Sequence, residues 1–154
     1  MKGNQRVIDA LNRAIVGEQQ AFQQYYVNSK ILLRIGLSKA AQSWHQESME
    51  EIEHMGKLME RVLFLEGEPA SGEETEVVLD TALPDQIERA LALEQKAVQT
   101  YSDLVDIAES VGDYGTRDLA TEILQDEERH VQHLEQHQAL IQMMGLENYL
   151  STQV

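Results

Sequence analysis

Apolar residues return at every third or fourth position through four long stretches of this chain. In the first, about Gln5 to Arg34, the stripe is Ile8, Leu11, Ile15, Phe22, Tyr25 and Leu32, with Glu18 and Ser29 in the same register. That spacing puts the side chains on one face of a helix. The second, about Ser38 to Glu66, carries Ala41, Trp44, Met55, Leu58, Val62 and Leu65, with Ser48 and Glu51 among them. Gly36 ends the first helix; Ser38 is the expected N-cap of the second, and Gly67 its expected C′ stop. The third takes Pro84 in its first turn and runs to near Gly112 through Ile87, Leu91, Glu94, Val98, Tyr101, Val105 and Ala108. The fourth, about Asp113 to Met144, carries Leu119, Ile123, Glu127, His130, Leu134 and Ile141. Residues 67–83 have no helical period and predict a crossover along the length of the bundle, with Val77, Val78 and Leu79 packing on it in passing. The closing LENYLSTQV predicts one short extra helix. The expected fold is all-α: a four-helix bundle with a long crossover between helices two and three and a short fifth helix, residues 1–154 forming one domain.

Inside the stripes a second pattern appears. Glu18 precedes Glu51-x-x-His54 by 33 residues, and Glu94 precedes Glu127-x-x-His130 by 33. Every member of the first set lies 76 positions before its counterpart, and Tyr25 and Tyr101 obey the same rule. The repeat implies two helical hairpins related by a pseudo-twofold, with four glutamates and two histidines on its axis. Residues three apart share a helix face, so each Glu-x-x-His can aim two ligands at one metal, and the lone Glu of each hairpin adds another, bridging or terminal. Di-iron and di-manganese carboxylate bundles use this ligand set.

A carboxylate in an apolar stripe is costly unless it is paired or bound to metal. The bland alternative, four acids at stripe edges facing water, does not account for the shared offset. Salt bridges do not account for it either, because the stripes hold almost no Lys or Arg. Oxygen and imidazole donors suit iron or manganese; zinc would also bind, although a site without thiolates is not a usual structural zinc site. Two metals sharing carboxylates can divide two electrons between them, which suits reduction of oxygen or peroxide and oxidation of ferrous iron. Tyr25 and Tyr101 are either core aromatics whose hydroxyls need a partner or supports and one-electron donors for the opposite hairpin. Trp44 reads as core and His45 as exposed, while His133 and His137 read as solvent-facing histidines in preference to a second metal site. Glu47 and Glu50 read as a solvated helix face that could attract cations.

The net charge of −15 argues against nucleic acid and against an anionic membrane surface, and it favours cations. No cysteine is present, so disulfides and thiolate sites are excluded. The polar, amphipathic opening is not a secretory leader, and a cytoplasmic location is expected.

MKGNQRVIDALN at the start, ERVLFLEGEP (60–69), EILQDEERH (122–130) and LIQMMGLENYL (140–150) resemble the bacterioferritins, and the resemblance covers nearly the whole chain. It implies a ferritin-like bundle, a hollow shell of twenty-four subunits, and a ferroxidase di-iron centre of Glu18, Glu51, His54, Glu94, Glu127 and His130 with Tyr25 beside it. In that family the centre oxidises ferrous iron with oxygen or peroxide, and ferric mineral is stored inside. A ferredoxin-type reductant is the implied electron donor for release. The family binds haem b between subunits through a methionine at the position of Ile52, and an aliphatic chain cannot ligate iron. A haem-free homo-oligomer is therefore expected, or a mixed shell with a haem-binding paralogue. An inner-surface iron site found in some members uses His and Asp where this chain has Gln46 and Glu50. The rival readings are a di-metal oxygen or peroxide reductase without storage, like the rubrerythrins, and a non-catalytic shell subunit. The absence of a Cys-x-x-Cys electron-transfer module opposes the first rival, and the intact ligand set opposes the second.

Overall fold

The computed structural model describes residues 1–154. It contains five helices and no strand: α1 Gln5–Arg34, α2 Ser38–Phe64, α3 Leu83–Ser110, α4 Tyr114–Met144 and α5 Leu146–Ser151. No helix is long and apolar enough to cross a membrane. Asn4 caps α1, its side chain accepting from Arg6 N at 2.9 Å, and Asp113 caps α4 by accepting from Thr116 N at 3.0 Å.

The pairs α1/α2 and α3/α4 are tight antiparallel hairpins. The first link turns at Gly36, whose φ of 89° is open to glycine at no steric cost. Gly36 N donates to Leu33 O and Leu37 N to Leu32 O, which is the Schellman arrangement.

Two helix ends depart from the pattern expected of the sequence. Leu37 rather than Ser38 is the N-cap of α2, and it offers no side-chain acceptor. The orphan amides of Lys39 and Ala40 donate instead to the carbonyl of Gln153, at 3.0 and 3.4 Å. At the other end α2 stops at Phe64, and Glu66, not Gly67, takes the left-handed position, with φ 61°. Gly67 follows because space is short: a Cβ there would lie 2.9 Å from Ile8 Cγ2 and 3.0 Å from Val62 Cγ1.

The crossover does run along the bundle, and amides on α1 hold it there. Asn12 bonds Glu68 O and Ala70 N, Gln19 bonds Glu73 O, and Gln24 bonds both N and O of Val78. Val77 and Val78 are half-buried as expected, whereas Leu79 is exposed.

The interior is divided. One apolar cluster gathers Val7, Leu11, Ile15, Leu58, Val62, Leu104 and Ile123; the other gathers Tyr25, Leu32, Trp44, Ile87, Leu134 and Tyr149. Between them lies a layer of buried acids and imidazoles.

Candidate metal centre

That layer is made by the six residues of the repeated pattern. Glu18 comes from α1, Glu51 and His54 from α2, Glu94 from α3, and Glu127 and His130 from α4. All six are buried, with exposures of 0–5 %. The fold brings them together because each sits in the apolar stripe of its helix, and the stripes meet on the axis.

The donor atoms form two groups of four. Glu18, Glu51, His54 and Glu127 have ligand atoms within 4.8 Å of one another, and so do Glu51, Glu94, Glu127 and His130. Glu51 and Glu127 belong to both groups. Glu18 and Glu94 each belong to one. An ion in each group would find the α2 and α4 carboxylates within reach of both positions and those of α1 and α3 within reach of one.

Several polar atoms facing the centre make no hydrogen bond, although His54 Nδ1 lies 3.0 Å from Glu127 Oε1. Both carboxylate oxygens of Glu51 and of Glu127, and Nδ1 of His54 and of His130, have no hydrogen bond. Buried polar atoms are rarely left so. Four carboxylates and two neutral imidazoles would balance the charge of two divalent cations. The donor set therefore suits metal ions.

The outward nitrogens are held. Nε2 of His54 lies 3.1 Å from Asp126 Oδ2, and Nε2 of His130 lies 3.0 Å from Glu47 Oε2 and 3.1 Å from Glu50 Oε2. Each imidazole thus presents Nδ1 inward and ties Nε2 to a carboxylate, the usual support for a metal-binding histidine. Local sequence puts Glu47 and Glu50 on a solvated face; in the structure Glu47 turns inward to His130. For Glu50 and Asp126 the chain does carry a signal, since they also stand 76 apart, each just before the Glu of its motif, whereas the counterpart of Glu47 is Ile123.

The tyrosines cross between hairpins. Tyr25 donates to Glu94 Oε1 at 2.5 Å, and Tyr101 donates to Glu18 Oε1. Both phenols are fully buried and stay protonated, because burial and then the neighbouring Glu94 or Glu18 charge raise them well above the ordinary range. Ile52, the position of the family's haem ligand, is on the surface, 38 % exposed.

Without metal the layer holds protons. Burial raises Glu18 and Glu127 well above the usual carboxyl range, and the Glu51 charge adds to both. Glu51 is pushed down despite its burial, by contacts with Glu18, His130 and His54. His54 and His130 are raised: burial opposes, but the acids around them outweigh it, led by Glu127 for His54 and Glu47 for His130. A cavity of about 870 Å³ between α1 and α3 has Glu18 and Tyr101 in its wall, beside the small residues Ala14, Gly17, Ala21 and Ala97.

His137 is not solvent-facing. It is half-buried, edge-on to Trp44 with ring centroids 6.1 Å apart, and bonded to Tyr149. The physical reason is that α5 folds back over this part of α4, which the spacing of residues within α4 does not announce.

Residues 8–144 match the ferritin family, described as a ferritin-like domain. A bacterial ferritin of Pseudomonas aeruginosa is 36 % identical over 155 aligned positions, covering all of both chains. A bacterial ferritin of Synechocystis is 32 % identical over all of this chain and 99 % of its own. A bacterioferritin of Brucella melitensis is 33 % identical over 97 % of this chain and 92 % of its own.

Proposed function

The chain belongs to the ferritin-like family, and from that premise we propose that it oxidises ferrous iron and stores the ferric product in a shell of twenty-four subunits. Glu51 and Glu127 would hold a pair of ferrous ions between them, with Glu18 and His54 binding at one end and Glu94 and His130 at the other. The observation that carries this reading is the sharing of Glu51 and Glu127 between two four-atom groups, with their oxygens otherwise unpartnered. The relatives named bacterial ferritin and bacterioferritin support the storage role.

The electrons balance. Two ferrous ions give up one electron each. One dioxygen takes both with two protons and leaves as hydrogen peroxide, or one hydrogen peroxide takes both with two protons and leaves as two waters. Tyr25 and Tyr101 fix the terminal carboxylates in orientation. Asp126, Glu47 and Glu50 fix the imidazole rings. The apolar clusters above and below exclude water, so the carboxylates act at low dielectric.

Aerobic loading with ferrous iron tests the reading. Storage requires far more iron per chain than the pair the site holds, and Glu18→Ala or Glu94→Ala should nearly abolish the fast phase of oxidation while the helix content is kept. Saturation at two ions per chain would leave an enzyme without a store. Wild-type oxidation rates in both variants would remove the site.

A further inference from the structure

Outside the six-residue layer, α4 carries a second pair of imidazoles that the proposed reaction does not use. His133 and His137 are one turn apart on one face of the helix, the i, i+4 spacing at which two histidines chelate one metal. Their Nε2 atoms lie 3.0 Å apart. Two nitrogens each about 2.0–2.1 Å from one zinc-like ion, at close to a right angle, stand about 3 Å apart.

The far sides of both rings face oxygen. Nδ1 of His137 bonds the Tyr149 hydroxyl at 2.5 Å, and Nδ1 of His133 lies 3.6 Å from Glu47 Oε1. This resembles the main layer with the ring nitrogens exchanged: there the Nδ1 atoms face each other's carboxylates and Nε2 is held; here the Nε2 atoms are close together, Nδ1 of His137 is hydrogen-bonded and Nδ1 of His133 has a carboxylate nearby. The His133 side chain is 41 % exposed, so an ion can reach the pair from solvent. Burial lowers His137 to about 4, with the His133 charge adding, so at neutral pH the ring is uncharged and one of its two nitrogens keeps a lone pair.

We propose that His133 and His137 form a separate site for a divalent transition-metal ion on the surface of α4, with Tyr149 of α5 bonded to the second ring and Glu47 of α2 lying beside the first. The ion takes two imidazole nitrogens and completes its coordination with water. Glu47 touches His133 through one oxygen and His130 through the other, so the site lies one carboxylate away from the main layer. It does not depend on what the main layer does to iron.

Zinc(II) counted by equilibrium dialysis on the assembled full-length protein tests this. Wild type should bind one ion per chain more than His133→Ala and one more than His137→Ala. Trp44, the chain's single tryptophan, lies against His137 and reports independently. Nickel(II) should quench its emission in wild type and in Glu18→Ala, and that quenching should be lost in His133→Ala. His133 is half-exposed, so its truncation leaves the core intact. Equal zinc counts in wild type and both histidine variants would overturn the proposal and reduce the pair to an N–H···N hydrogen bond. Quenching that survives in His133→Ala would do the same.

Discussion

Nε2 of His54 on α2 lies 3.1 Å from the carboxylate of Asp126 on α4. His130 on α4 makes the reverse crossing to α2, where both Glu47 and Glu50 reach it. The two halves of the centre are therefore supported unequally, one ring by a single acid and the other by two.

That inequality predicts unequal mutants. Asp126→Ala should weaken metal binding at the His54 end about 10–100-fold. Glu50→Ala should cost less, because Glu47 remains at 3.0 Å. Anaerobic calorimetric titration with zinc(II) reads both, and equal losses would show that the second acid adds nothing.

Tyr25→Phe leaves a buried Glu94 oxygen without its donor. The metal-free protein should lose about 1–3 kcal/mol of stability, and the metal-loaded protein less, since an ion then satisfies the carboxylate. Urea unfolding with and without zinc(II) measures the difference, and Tyr101→Phe should behave alike through Glu18.

Metal binding should release protons. Glu18, Glu127, His54 and His130 are all raised in the metal-free layer, so an entering cation displaces protons they hold. Apparent zinc(II) affinity should therefore rise from pH 5.5 to pH 8, and a weakly buffered solution should acidify on loading. A flat affinity over that range would contradict the protonated state.

Asp113 joins two elements. It caps α4 and accepts from Arg61 of α2 at 2.7 Å. Asp113→Ala should destabilise by about 1–2 kcal/mol. The Asp113 carboxyl lies below its ordinary 3.8: burial opposes, but the Thr116 hydroxyl and amide and then Arg61 outweigh it. A depressed folded value means the stabilisation is present above about pH 4 and is lost as pH falls through that lower value. The difference between wild type and variant in chemical unfolding should accordingly be full at pH 7 and shrink below pH 4.

The protein purified alone should lack the spectrum of bis-methionine haem, because Ile52 offers no lone pair. Ile52→Met should permit haem uptake, read by absorbance after reconstitution. Haem bound stoichiometrically by the unmodified protein would turn attention to Met49 and Met55.

The four long helices are legible in the sequence because their stripes are long and keep one period. The six residues of the centre are legible because a 76-residue offset repeats all of them, and an acid set in an apolar stripe is seldom tolerated without a partner or a metal. What escapes is set by distant chain. Glu47 sits at the edge of its stripe, and only the neighbouring α4 turns it inward. His137 is covered by Tyr149 of α5, whose docking no local period encodes. Ser38 reads as a cap, but the acceptor that serves α2 is a backbone carbonyl more than a hundred residues away. Glu66 takes a left-handed turn that glycine would take more easily, because the adjacent Gly67 is required where Ile8 and Val62 close in.

The crossover illustrates a division of labour between segments. Asn12, Gln19 and Gln24 grip its peptide groups, not its side chains. The identity of most residues between 67 and 82 is thus free to drift while their course stays put. The instructions for that course are written on the outer face of α1, and a substitution there, far from any loop, would be the one to unmoor it.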